Sequence, residues 1–169
     1  MTWRVALLRA VNVGGTGRLK MSDLRAVCEA AGFRDVSTVL ASGNAVFRSE
    51  ADEWAIRAAL GDGLAQCMGV APEVILRTGP EIAAALAASP FRDCPPARVA
   101  VVFLDAPPLG AGALEAKGRQ DERFEVIGRE IHVHYLSGMG RSKLVIPAAR
   151  AGTARNLATV ARLAEATGG

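Results

Sequence analysis

Long hydrophobic runs are missing from this sequence. The longest, such as residues 99–104, fall far short of the roughly 20 apolar residues a bilayer-crossing helix needs, so a helical membrane span is excluded. Paired cysteines are missing too: Cys28, Cys67 and Cys94 form no disulfide-like or metal-like spacing, and an odd count argues for free thiols rather than a disulfide scaffold. Cys28 and Cys67 fall in helical patterns and are expected to pack as small apolar groups, whereas Cys94, beside Pro95-Pro96, is expected at the surface. Aromatic residues are only 5% of the chain and are not interleaved with basic positions, which gives poor support to base-stacking recognition of single strands. No serine-histidine-acid or cysteine-histidine order stands out, so no acid-base or nucleophilic catalyst is assigned, and Glu122 and Glu125 near Asp121 read as a solvated acidic edge. Residues 1–4 run straight into a strand-like segment without the tripartite layout of a secretory signal, and the expected location is cytoplasmic.

What remains is ordinary globular material. The 169 residues are half apolar and about one fifth charged (22%), enough for one buried core or two small subdomains packed as a unit, with approximate bounds 1–88 and 89–169. The net charge of +3 decides little, but its distribution is uneven: residues 1–49 carry +4, residues 50–128 carry −5, and residues 129–169 carry +4.

Periodicity gives the elements. Residues 2–11 read as a strand buried on both faces, broken by a loop at 12–17. Ser22 suits the cap of a helix from Asp23, with Leu24, Val27, Cys28 and Ala31 at helical spacing before Gly32. Residues 36–41 and 45–48 flank Ser42-Gly43-Asn44 as a hairpin. Residues 51–68 read as a helix with Trp54, Ile56, Leu60, Leu64 and Cys67 as apolar positions; residues 72–77 read as a strand; and Pro80 starts a helix running to Ala88. In the second half, residues 98–104 are a strand and 109–118 a short helix. Residues 122–127 and 130–136 form a hairpin about Gly128-Arg129, which suits a type II′ turn. Thr153 then opens the last helix. The order is that of ferredoxin-like sandwiches, so the fold class is α+β: two ferredoxin-like α/β sandwich subdomains, antiparallel sheets with helices on one face, compatible with an internal duplication.

Three segments carry candidate chemistry. Arg9 to Gly15, including Asn12, Gly14 and Gly15 and followed by Arg18 and Lys20, is a Gly-rich loop between a strand and a helix N-terminus; it suits either an anion held by backbone N–H groups or a plain turn. Ser42 and Asn44 sit at a hairpin tip, where they could meet a ligand or close the turn. Arg141, Ser142 and Lys143 among glycines, with Thr153, Arg155 and Asn156 at a helix start, are the best anion candidates, the alternative being a solvated loop with an ordinary cap. His132 and His134 share one strand face at a spacing metal-binding hairpins use, but no third ligand lies near, and no metal or cofactor is assigned.

These segments resemble the family known as domain of unknown function 1697. Ala6-Leu7-Leu8-Arg9-Ala10-Val11-Asn12-Val13-Gly14-Gly15 with Met21, Leu24 and Arg25 resembles "LLRGINVGG" and "M-x-x-L-R". Ser42-Gly43-Asn44-Ala45-Val46-Phe47 resembles "QSGNVVF". Gly140-Arg141-Ser142-Lys143-Leu144 and Thr153 to Val160 resemble "GRSKL" and "T-x-RNWNTV". The resemblance runs over almost the whole chain and implies a bacterial α+β protein with ferredoxin-like subdomains and no assigned activity. Ala10 stands where the pattern has Gly, Ala41 where it has Gln, Leu157 for Trp and Ala158 for Asn, so a site using those amide and indole donors is altered here.

The leading expectation is a binding module for a small anionic or phosphate-bearing ligand, using Arg9, Asn12, Arg141, Lys143 and Arg155, on a monomer or weak homodimer. The alternatives are nucleic-acid binding through the same basic segments, and an enzyme acting on a phosphorylated substrate.

Overall fold

A computed structural model describes residues 1–13 and 17–168. The chain divides into two compact units, residues 1–82 with 163–169 and residues 83–162.

Unit 1 is built on β1 (Thr2–Leu8), α1 (Met21–Ala30), β2 (Arg34–Thr38), β3 (Asn44–Ser49), α2 (Glu53–Met68) and β4 (Val74–Thr78). The strands form one antiparallel sheet in the order β2-β3-β1-β4, which is the ferredoxin-like arrangement. Strand alternation puts Ala6, Leu8, Ala45, Phe47, Val74 and Leu76 on one face, where they pack with Leu24, Val27 and Cys28 of α1 and Ile56, Leu60 and Leu64 of α2. Phe33 stacks on Phe47 at 4.2 Å. The opposite face is buried as well, through Val5, Leu7, Val46 and Ile75, and it carries Arg77, which is only 1% exposed. Such two-sided burial is what makes β1 read as a continuous apolar run.

The cap of α1 differs from the sequence reading. Helix α1 starts at Met21 with Lys20 at its N-cap and no side-chain cap, because the N–H groups of Asp23 and Leu24 bond the Lys20 carbonyl; Ser22 lies inside the first turn. Helix α2 is capped conventionally, the Ala55 N–H donating to Asp52 Oδ1 at 2.8 Å. Its Trp54 and Cys67, expected on the apolar side, are exposed.

In sequence the division at residues 82 and 83 falls within α3 (Gly79–Ala88) and that at 162 and 163 within α4 (Leu157–Ala166); unit 2 contains β5 (Val99–Phe103), β6 (Arg123–Ile127), β7 (Glu130–His134) and β8 (Thr153–Asn156). Its strands repeat the order of unit 1, β6-β7-β5-β8, all antiparallel. The β6–β7 turn has Gly128 at φ +59 while Arg129 stays at negative φ, as a type II′ turn requires. Residues 109–118 are not a helix: Gly110 and Gly112, at φ +95 and +80, leave the helical region, and Lys117 instead bridges Val145. Irregular segments thus stand where unit 1 has crossover helices, and Ala116, Leu144, Ile146, Ala148 and Ala149 pack on Val102, Ile131 and Val133. The opposite face of this sheet holds His132.

His132 is fully buried, opposite Glu125 on β6 and Val101 on β5, and neither ring nitrogen has a hydrogen-bond partner. Burial lowers its pKa from the ordinary 6.5, against the pull of Glu130 and Glu125. The unfolded chain therefore takes up a proton that the folded one refuses, and stability is lost as pH falls through 6.5. Urea unfolding at pH 7.5 and at pH 5 should show a loss of stability that His132→Phe reduces; equal slopes in both proteins would contradict this account.

Candidate functional site

In unit 1 the residues singled out by sequence cluster in two loops that are tied together. Asn12 donates from Nδ2 to the carbonyls of Leu19 (2.9 Å) and Ala41 (2.7 Å), and its Oδ1 accepts from the Leu19 N–H (2.9 Å). One amide hydrogen therefore ties the Asn12 loop to its own end at Leu19, and the other clasps it to the 39–44 loop. The Leu8 N–H adds a bond to the Gly43 carbonyl at 2.9 Å. Asn44 is fully buried and donates from Nδ2 to the Val39 carbonyl (2.7 Å) and to Ser42 Oγ (3.0 Å). Arg9 pairs with Glu73 at 3.0 Å, reinforced by a backbone bond between the same residues. Gly14 and Gly15 lie outside the described residues.

The clasp holds non-glycine residues in the left-handed region: Ala10 at φ +56, Asn12 at +55 and Leu40 at +60. Asn tolerates this conformation, but Ala and Leu pay about 1–2 kcal/mol there. The motif that this chain resembles has Gly where Ala10 stands, and the dihedral supplies the reason. Ala10→Gly should raise stability by about 0.5–1 kcal/mol after the entropy cost of glycine in the unfolded chain. Thermal or urea unfolding reads it, and a loss of stability would show that the strain is not there.

In unit 2 the segment containing Arg141, Ser142 and Lys143 is anchored by a residue that sequence reasoning placed on a solvated edge. Glu122 is 4% exposed. Its Oε1 accepts from the Gln120 N–H (2.6 Å) and its Oε2 from Ser142 Oγ (2.7 Å), while Ser142 Oγ accepts from the Leu144 N–H (3.2 Å). The Gln120 N–H, then the Ser142 hydroxyl, then its own backbone N–H hold the Glu122 carboxyl below the usual carboxylate range. Burial, helped by the Glu122 charge, pushes the Tyr135 phenol up. Arg119 donates to the Glu122 carbonyl (2.8 Å) and lies over the Phe124 ring at 5.3 Å. Alongside, Ser137 donates to Asp121, and paired Lys117 and Val145 backbone bonds of 2.8 Å zip the two segments together. Gly118 is needed in this zipper: a Cβ there would meet the Lys143 carbonyl oxygen at 2.2 Å. The sequence signal for the anchor is Glu122 opening the expected strand 122–127, which does not distinguish a buried carboxylate from an exposed one.

The remaining candidates have structural partners. Thr153 is not a helix cap; it is buried in β8 opposite Phe103, and its Oγ1 accepts from Arg155 at 2.6 Å. The cap of α4 is Asn156, whose Oδ1 accepts from the Thr159 N–H (2.9 Å) and hydroxyl (3.0 Å). Arg155 is 7% exposed, and burial lowers its pKa to about 10, so it stays charged at neutral pH. His134 packs against Phe91 at 5.5 Å, and among the described residues no three His, Cys, Asp or Glu side chains could hold a metal together. Cys28 is buried, its thiol pushed up to about 12 mainly by burial and then by Glu29, which makes it unreactive. An open groove of about 480 Å³ between α1 and α2 is lined by Ala26, Ala30, Ala59 and Gly63 with Asp23 and Asp62; it offers an anion no cation.

By contrast, Arg141 and Lys143 are exposed, and no described residue pairs with either side chain. Lys117, exposed across the zipper, adds a third cation.

Fold and loops together define an α+β protein of two antiparallel sheets in ferredoxin-like order, with a clasped polar loop in unit 1 and an anchored cationic loop in unit 2. Residues 1–132 match the family described as "Protein of unknown function (DUF1697)", and the chain belongs to it. The match ends before the 140–144 and 153–160 segments, whose likeness to the family motifs rests on those residues themselves. No curated protein matches. Among solved structures, the conserved bacterial protein SP0830 from Streptococcus pneumoniae is similar with a TM-score of 0.78 at 22% identity, over 100% of this chain and 99% of that one. This likeness bears on the fold. No helix among the described residues is long and apolar enough to cross a membrane.

Proposed function

We propose that the protein binds a small anionic or phosphate-bearing ligand through the loop of unit 2, with Arg141 and Lys143 as the contacting residues. One observation carries the reading. The loop is held by a buried carboxylate, two hydroxyl bonds and a backbone bridge, yet its two cations have no acidic partner among the described residues. Elsewhere the candidates' polar atoms are already engaged: Arg9 with Glu73, Asn12 with two carbonyls, Thr153 with Arg155. A fixed loop loses little entropy when it meets a ligand, and a guanidinium fork beside an ammonium suits a phosphate or carboxylate.

The test is an NMR titration of the 15N-labelled protein with inorganic phosphate, pyrophosphate and sugar phosphates at low salt. Shifts should concentrate at residues 138–145. Arg141→Ala and Lys143→Ala should each weaken binding about tenfold, the loss of a charge-assisted hydrogen bond of about 1.5 kcal/mol, while Arg9→Ala leaves it unchanged. Silence across the panel would remove the proposal. Binding confined to oligonucleotides, with affinity falling steeply in salt, would favour nucleic-acid recognition instead.

A further inference from the structure

Strand β6 is an edge whose outward backbone groups are unused. The two-residue turn makes Ile127 and Glu130 a hydrogen-bonded pair, so Ile127, Glu125 and Arg123 bond to β7. The same parity sends Arg129 and Tyr135 toward β5, where the Leu104 N–H donates to the Arg129 carbonyl (3.0 Å) and the Tyr135 N–H to the Arg98 carbonyl (2.8 Å). The N–H and C=O groups of Phe124 and Val126 therefore point away from the sheet, and they have no backbone partner among the described residues.

The corresponding edge strand of unit 1 is protected. In β2 the register shifts between Arg34 and Ser37, and Asp35 sits at φ +52, a bulge of the kind that blocks strand addition. Strand β6 has no such interruption: its five residues pair with β7 in unbroken register.

The charges of β6 are also self-complementary. An antiparallel partner strand with Phe124 opposite its own counterpart would form a hydrogen-bonded pair there. It would place Arg123 of each copy opposite Glu125 of the other, in the closer, non-hydrogen-bonded positions. Both side chains are exposed and on the same face of the sheet. Slipping the partner by two residues, which moves the twofold axis to Glu125, sets Glu125 against Glu125, so the charges favour the first alignment.

We infer that a second copy of this chain adds to the β6 edge, forming a twofold dimer through antiparallel β6–β6 pairing with two Arg123–Glu125 ion pairs. So short a strand pair buries less than the roughly 1,200 Å² of a stable interface, so the dimer is weak and concentration-dependent. The pairing rests on the edge and the charges of β6, not on the anion-binding reading.

Sedimentation from micromolar to millimolar concentration tests it. The protein should shift from monomer to dimer, and Arg123→Glu alone or Glu125→Arg alone should weaken dimerisation about tenfold by setting like charges opposite each other. The double substitution Arg123→Glu/Glu125→Arg restores complementarity and should restore dimerisation, a rescue that a mere folding defect would not show; circular dichroism confirms that each variant is folded. A monomer at every concentration overturns the inference. So does a folded double variant no better than the singles, or single variants that dimerise like the parent.

Discussion

The structure depends on the burial of its central strands on both faces. Ala6 and Leu8 of β1 face the helical core, Val5 and Leu7 face the other way, and all four are fully buried; every residue of β5 is buried too. A strand enclosed in this way offers no polar side chain to a ligand, so recognition chemistry is confined to loops and sheet edges. Those loops carry backbone groups that must be satisfied wherever they are covered. The polar side chains of the sequence motifs meet that requirement first: Asn12, Asn44 and Ser142 each bond loop backbone and thereby fix a loop's path.

The two sheets correspond beyond their strand order. Across unit 1 one row reads Ser37, Val46, Val5, Arg77; across unit 2 the equivalent row reads Glu125, His132, Val101, Arg155. Each row ends in a buried arginine on the fourth strand, and each guanidinium donates to the carbonyl of the preceding residue, Leu76 at 3.0 Å and Ala154 at 2.9 Å. Such agreement in position, burial and bonding favours a duplicated strand frame. The coverings diverged: helices α1 and α2 lie on one sheet, and the irregular 104–122 and 139–151 segments on the other. A His in place of Val46's counterpart introduces a titrating group into a row that is otherwise apolar at its centre.

Strands and helices were legible in the sequence wherever burial alone sets the period, as in β1, α1, α2, β5 and the β6–β7 hairpin. Reading failed where one residue type serves two purposes. Thr153 suits a helix cap and equally a short strand, and the pairing of Thr153 with Phe103 decided for the strand, passing the cap to Asn156. Residues 109–118 have helix-forming Ala and Leu, but the glycines among them adopt positive φ and the segment lies across the sheet instead. Trp54 fits an apolar helical stripe yet is 79% exposed, because the stripe is carried by Ile56, Leu60 and Leu64. The anchoring role of Glu122 was invisible because burial of a carboxylate depends on donors distant in sequence, here Ser142, and no local pattern encodes them.

Electrostatics explains why an anchored loop can keep its cations available. A loop fixed by an ion pair to Arg141 or Lys143 would have that charge neutralised. Here the fixing is done by a carboxylate that takes its hydrogen bonds from neutral donors, the Ser142 hydroxyl and the Gln120 N–H, and Arg119 lies close enough to oppose its negative charge. The anchor thus draws its hydrogen bonds from neither Arg141 nor Lys143. Hydroxyl-to-carboxylate anchoring at Ser142 fixes the loop without an ion pair to the cations on either side, and the proposed anion site rests on that combination.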